Sequence, residues 1–387
     1  MPLFKSSMLA QWLDGPLGPN ERSMLLAISA LVVTFLCGRS ESIIGNRQWD
    51  TVARFCIAKS LSVRSEYDFV LDSSVSTLLA SFFIAIAYFE LHDSHHTWFY
   101  LREAITLAQA LGLHTSKYYD GMNSADALYS RRIYDILFVT ERSFAIARHK
   151  PVLLLHPLDP SQGVSGEEHE NTSEIDVGFR QLVRVYSQLE VEFLDVWSQQ
   201  GSVNQGLARR HGRLELSQEC DALAEIQKAD ILVTQHWLEL VFWTAALQQS
   251  ELSSTAVSRS KSFYYPEDLA SSLLCVTASL SVKSIEIHGL GMFEKIYDVG
   301  NALADLMDCS TTITGSMHDM AQNLDRLRAV CQLLSLTPNS YLKFAVPLGR
   351  RVAEAFDHSY CSAHNTLPIT YITDQCEASE QEIEATS

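Results

Sequence analysis

Between Ser73 and Leu91 the chain reads SSVSTLLASFFIAIAYFEL, apolar almost all the way round a helix. A helix without a polar face has to be covered on every side, so this segment is predicted to lie at the centre of a helical bundle. Its surroundings read the same way. Residues 20–38 and 48–65 form two preceding helices. After Asp93, the residues Trp98, Leu101, Ile105 and Ala108 recur at spacings of three, four and three, which is one helical face. Arg102, Glu103, Thr106 and Gln109 take the opposite side. Asp93 or Ser94 is placed to cap this helix, and Gly112 stands where a left-handed stop is wanted.

A further helix is predicted from Ser124 to Ala147, with Ile133, Ile136, Leu137, Thr140, Phe144 and Ala147 on its buried face. Arg131 and Asp135 can pair one turn apart on it. Arg148 and Lys150 suit the negative end of the helix dipole, and Pro151 stops the helix. The stretch 151–176, with three prolines and an acidic patch, reads as a loop dividing two helical halves. Helices resume near 177–199, 214–249, 266–286, 291–308, 317–335 and 340–357. Pro266, Glu267 and Asp268 mark one of these starts. Residues 1–358 are expected to form one helical domain, followed by an acidic, disordered tail at 359–387. Gly and Pro are few and lie between the apolar runs, and no alternation typical of strands occurs. The fold class is all-α, a multi-helix globular bundle.

Chemistry is sought where titratable residues cluster. Glu90 to His96 (ELHDSHH) holds three imidazoles and two carboxylates, and His92 and His96 are four apart. A metal needs several ligands and no third or fourth is evident nearby, while Asp93-Ser94 begins a new helix between the two histidines, so the run reads as the polar approach to an N-cap. The very apolar stretch 231–247 carries His236, Trp237, Glu239 and Trp243, which form a possible small-molecule pocket. A hydrogen-bonded core pair is the competing account of the two polar residues. HGLGMFEK has two of the three glycines of a dinucleotide fingerprint and no strand before it, so it reads as a connector. No nucleophile elbow, phosphate loop, metalloprotease helix or calcium loop is present. No catalytic, cofactor-binding or metal residue is assigned.

The eight cysteines are widely spread and form no CxxC pair, which fits a reducing compartment and leaves the sequon at Asn171 incidental. The apolar run Met24–Cys37 is short for a membrane span. A net charge of −17 opposes phosphate backbones, so direct nucleic-acid binding is not expected. The basic cluster ARRHGR at 208–213 is weak as a nuclear import signal and reads as a solvated loop.

WFYLREAITLAQALGLH, followed by SRRIYDILFVTERSFAIARHKPVLL, resembles the fungal-specific transcription factor domain. This is the middle homology region of binuclear zinc-cluster regulators, and the likeness is strongest to those controlling starch, maltose and other sugar use. The positions that carry the resemblance are Trp98, Arg102, Glu103, Ala104 and Leu111 to His114, then Arg131, Arg132, Glu141, Arg142, His149, Lys150 and Pro151. Ile285–Met307 resembles a later segment of the same domain. These charged positions are expected to join helices through ion pairs, with a basic interaction surface as the alternative. The six closely spaced cysteines, linker and coiled coil of that family do not occur in these 387 residues. The resemblance therefore implies a nuclear, non-enzymatic regulator of a metabolic or biosynthetic pathway. It would reach DNA through a partner, such as a full-length zinc-cluster regulator, or through sequence upstream of Met1. A helical protein that binds a small molecule or sequesters a partner, without direct transcriptional activity, remains the other reading.

Overall fold

The computed structural model describes residues 3, 15–37, 48–72, 74–158, 174–199, 223–248, 252, 259–310 and 317–363. Among them the regular elements are helical, as the sequence predicts. Helices α1 (Pro19–Cys37) and α2 (Gln48–Arg64) pack on each other, and α1 also packs on α3 (Val75–Glu90), which pairs with α4 (Ser94–Leu111). The all-apolar segment is α3. From Thr77 to Ala85 every residue is buried, which is how a helix lacking a polar face satisfies itself.

Both ends of α4 follow the predicted chemistry. Asp93 is the N-cap and accepts from the His96 N–H at 3.0 Å, while Gly112 closes the helix in the left-handed region at φ 82°. Between α3 and α4, His92 itself adopts φ 61° and turns the chain. After the short α5 (Ser116–Tyr119) comes α6 (Ser124–Arg148), which ends at His149 with φ 50° and an amide of Lys150 bonded back to Ala145.

The segment predicted as one helix over 177–199 is two, α7 (Glu174–Ser187) and α8 (Val191–Ser198), turned at Gln188–Glu190. Then α9 (Glu225–Gln248) crosses the molecule. Its neighbours include α7, α10 (Tyr265–Ala278), α11 (Val282–Glu286) and α12 (Leu290–Ser310). The predicted helix over 266–286 is also broken, into α10 and α11. At the break Glu225 accepts from the Ser281 N–H at 3.1 Å and from its hydroxyl at 2.6 Å, an end cap supplied from a distant helix. The chain closes with α13 (Met317–Leu334), a π-helical turn at Tyr341–Ala345, and α14 (Val346–Ala363). The wide turn comes just ahead of Pro347, which has no N–H to continue a regular ladder. Helix α14 runs past residue 358. Residues 364–387, 159–173 and the basic cluster at 208–213 lie outside the described residues.

Two apolar clusters form the interior. One gathers α1–α8, the other α10–α14. Helix α9 serves both: Ile231, Trp237, Leu238 and Val241 face the first, and Ala229, Val233, Leu240 and Trp243 the second. Lys295 of α12 is buried against it, donating to the Thr234 hydroxyl at 2.7 Å and standing 3.7 Å from Asp230. Burial pushes its ammonium down, but Tyr186 and Asp230 outweigh that and hold it above the ordinary value.

Gly289 joins the clusters from the other side. It has φ 66°, and the adjacent Leu290 N–H donates to the buried Glu90 at 3.1 Å. A Cβ at this position would meet the Glu90 carboxylate and the Phe35 ring. Gly289→Ala is expected to cost about 2–3 kcal/mol, from the left-handed backbone and the steric conflict together. Equilibrium denaturation checks this, and an unchanged midpoint would show that the turn relaxes freely. No helix of the described residues is long and apolar enough to cross a membrane.

Candidate functional site

The two motifs that carry the sequence resemblance converge on one feature, the strap of residues 151–158 that leaves α6 and runs back along it. This strap is neither helix nor strand, so its main-chain groups need other partners. Glu141 and Arg142, adjacent on α6 and both fully buried, provide them. One Glu141 oxygen accepts from the Leu153 N–H at 2.7 Å and the other from the Leu154 N–H at 2.8 Å. Arg142 donates to the Leu154 carbonyl at 2.6 Å and to the Leu155 carbonyl at 2.8 Å. Tyr134 donates to the His156 carbonyl at 3.0 Å, and Arg102 of α4 reaches the Pro151 carbonyl at 3.2 Å.

Electrostatics hold the clamp together. Burial raises the Glu141 carboxyl, while the two strap amides and the charges of Arg102 and Arg142 pull it back. Burial lowers Arg142 to about 10, so it remains a cation at neutral pH, and its guanidinium lies 3.6 Å from the centre of the Phe138 ring. Arg102 bridges to Glu141 at 3.1 Å and covers the Trp98 ring, which stacks on Phe144. The tryptophan of the first motif and the glutamate of the second thus meet through one arginine.

The remaining motif charges work between helices. Glu103 pairs with Arg64 of α2 at 2.5 Å and accepts from the Ser81 hydroxyl at 2.6 Å. Arg132 grips Asp176 of α7 with two parallel bonds of 2.8 and 2.9 Å. Arg148 reaches Glu294 of α12 at 2.6 Å. Leu111 and Gly112 end α4, and Pro151 begins the strap. Arg131 carries a charge that favours ionised Asp135, but burial prevails and pushes the Asp135 carboxyl up to about 7. With Arg132 and Arg142 buried on carboxylate and carbonyl oxygens, these positions form a skeleton of internal ties.

The histidine run is absorbed by the helix junction. His96 bonds through Nδ1 to Asp93 at 2.7 Å and stacks on Tyr88, while burial pushes His92 down to about 4. Among the described residues no group of three His, Cys, Asp or Glu side chains is placed to hold a metal ion. The four residues of the possible pocket on α9 go to separate partners. Trp237 donates to Asp298 at 2.8 Å and Trp243 to the Ser262 carbonyl at 2.9 Å; Glu239 accepts from Tyr265 at 3.0 Å, and His236 contacts the Leu232 carbonyl at 2.7 Å. Both tryptophans are buried in the clusters that α9 separates.

Sequence spacing gave no sign of Asp176 as the partner of Arg132, or of Asp298 beneath Trp237, because each pair spans more than forty residues. It also gave none of a cleft beside the strap. This hollow of about 260 Å³ is lined by Gln109, His114, Tyr134 and the chain from Leu153 to Leu158.

A strap clamped to an arginine- and glutamate-bearing helix, beneath a helix ending Leu-Gly-Leu-His, is how this structure arranges the motifs that resemble those of the fungal zinc-cluster regulators. Comparison with curated proteins bears the resemblance out. The chain is 28% identical over 282 residues to the probable sucrose utilization protein SUC1 of Candida albicans, covering 70% of this chain and 55% of that protein. It is 22% identical over 313 residues to the respiratory transcription factor ZNF1 of Saccharomyces cerevisiae, covering 74% and 64%. With the maltose fermentation regulatory protein MAL33 of the same yeast it shares 21% over 255 residues, covering 64% and 53%. The homologues are transcription regulators of fungal zinc-cluster type. The matches span little more than half the length of most of these relatives. No family model matches the chain, and no solved structure matches it.

Proposed function

We propose that this chain is a regulatory module of a fungal transcription regulator, acting in the nucleus on genes of sugar or related metabolism. It works by contact with other proteins and catalyses no reaction. The observation that carries this reading is the similarity, over 70% and 64% of the chain, to a probable sucrose utilization protein and a maltose fermentation regulatory protein. The internal use of the motif charges supports it: a skeleton of buried ties suits a rigid platform, and the net charge of −17 suits protein contacts better than a phosphate backbone.

Two measurements test the proposal. Fused to a heterologous DNA-binding domain in yeast, the chain is expected to change reporter output relative to that domain alone. A fusion that is expressed and nuclear yet leaves the reporter unchanged would overturn the reading. The purified chain alone is expected to show no sequence-specific retention of DNA at physiological salt, so a salt-resistant, site-specific complex would contradict contact through a partner. The candidate partner is a full-length zinc-cluster regulator, detectable by co-purification from fungal nuclei.

A further inference from the structure

We infer that a single water molecule is bound between the end of α3 and the turn into α12, as an internal polar tie between the two halves of the core. The inference is independent of the regulatory reading.

It starts from the glycine-bearing connector HGLG, to which neither the clamp nor the motif charges give a task. Gly289, at φ 66°, brings its turn onto the buried Glu90, and the Leu290 N–H donates to that carboxylate at 3.1 Å. Beside this contact lies a cavity of about 10 Å³. That volume is at the lower edge of what one water needs, about 10–15 Å³. Four places in the fold supply the wall: Thr34 near the end of α1, Glu90 at the end of α3, Glu286 and Gly289 on the turn into α12, and Thr337 with Asn339 after α13.

The second observation is an orphan donor. The Nδ2 atom of Asn339 is sealed from solvent in this wall, and it has no hydrogen-bond partner among the described residues. A buried donor is costly to leave unmade, and native structures pair nearly all of them with protein or with ordered water. Acceptors stand on the same wall. The Thr34 hydroxyl gives its proton to the Leu31 carbonyl at 2.8 Å, so its oxygen retains lone pairs that can accept. Glu90 has accepting capacity beyond the Leu290 amide. One water that accepts from Asn339 and donates to Glu90 and Thr34 makes about three bonds, the usual number for an internal water.

The groups present also select among small occupants. The carboxylates of Glu90 and Glu286 repel an anion. A metal cation takes oxygen ligands and is met here by the N–H face of Asn339. Turning the carboxamide over would bury its oxygen instead, and a water would then donate to it. Only an occupant that is donor and acceptor at once serves both settings.

The site has a consequence for the fold. Helices α1 and α3 belong to the first apolar cluster, α12 and α13 to the second, so the water extends the link that Glu90 and Leu290 begin. A Cβ at position 289 would press on the carboxylate that holds it, which gives the bare Cα of this connector a second reason.

Two measurements on the full 387-residue chain test the site. In crystals that diffract well enough to order water, one density peak is expected in the cavity, about 2.7–3.2 Å from Asn339 Nδ2 and from at least one acceptor oxygen. In solution, oxygen-17 relaxation dispersion of water counts long-lived internal molecules. Asn339→Met, whose longer apolar side chain occupies the space, is expected to lower that count by one molecule. The crystal of the parent protein stands whether or not the variant folds. Four results would each overturn the inference: a cavity without a peak, Asn339 Nδ2 bonded directly to a protein acceptor, a peak ringed by oxygens at metal distances of about 2.0–2.6 Å, or an unchanged water count in folded N339M.

Discussion

Glu141→Ala is expected to lower stability by about 3–5 kcal/mol, with a fall in Tm of about 4–6 °C. The substitution removes more than an ion pair. Two strap amides, of Leu153 and Leu154, lose their acceptor, and Arg102 and Arg142 lose the charge that offsets their burial. Each orphaned buried donor carries its own desolvation cost. Glu141→Gln retains one acceptor oxygen and should fall between the parent and the alanine variant. Arg102→Ala, which removes a partly exposed partner, should cost about 1 kcal/mol or less. Thermal melts supply the ranking, and hydrogen exchange at the Leu153 and Leu154 amides locates the loss. If Glu141→Ala melts within about a degree of the parent, as an ordinary surface substitution would, the strap is not held by this carboxylate.

The second large effect is pH-dependent and centres on Asp298. This carboxyl lies half-buried beneath α9 and accepts a 2.8 Å bond from the Trp237 indole. Burial pushes it from its ordinary value of 3.8 up to about 7; the indole bond and Arg148 oppose the rise, and Glu294 adds to it. A folded value above the unfolded one means that the native state holds a proton the unfolded state has released. The stabilisation is therefore complete below about pH 4, declines as pH rises, and is lost above about pH 7. The span corresponds to about 4 kcal/mol.

Asp298→Asn keeps an oxygen for Trp237 and cannot ionise. Its stability relative to the parent should thus improve by about that amount between pH 4 and pH 8. Denaturation midpoints of the two proteins at both pH values measure the difference. A pH-independent gap would show that Asp298 titrates normally. Asp135→Asn should follow the same course, because burial carries Asp135 to about 7 as well. Acidification below neutrality would sample the sloping part of both curves, between about pH 4 and pH 7.

Legibility in the sequence followed the range of the interaction. The caps of α4 were readable because Asp93 and Gly112 act on backbone within a few residues of themselves. The central place of α3 was readable because a helix with no polar face has one solution. The breaks at Gln188–Glu190 and Ser279–Ser281 were not. In each, apolar periodicity continues across the gap, and the second is capped by Glu225, more than fifty residues away. The charged motif positions were legible as a set, but the expected role shifted: Glu103 and Arg132 join helices, while Glu141 and Arg142 mostly bind main chain. The α9 residues His236, Trp237, Glu239 and Trp243 were grouped by proximity along the chain, and the fold sends them to separate partners around the helix.

By itself, the sequence determined the helical class, the major helical segments, the caps of α4 and the likeness to fungal regulators, since each depends on local backbone preference or on residue order. Only the tertiary structure decided that α9 would divide two cores, that a glutamate and an arginine would capture a returning strap, and that His114 and His156 would face one cleft. Those outcomes depend on which distant groups can bury each other's charges and hydrogen bonds, and helical periodicity carries no record of the partner.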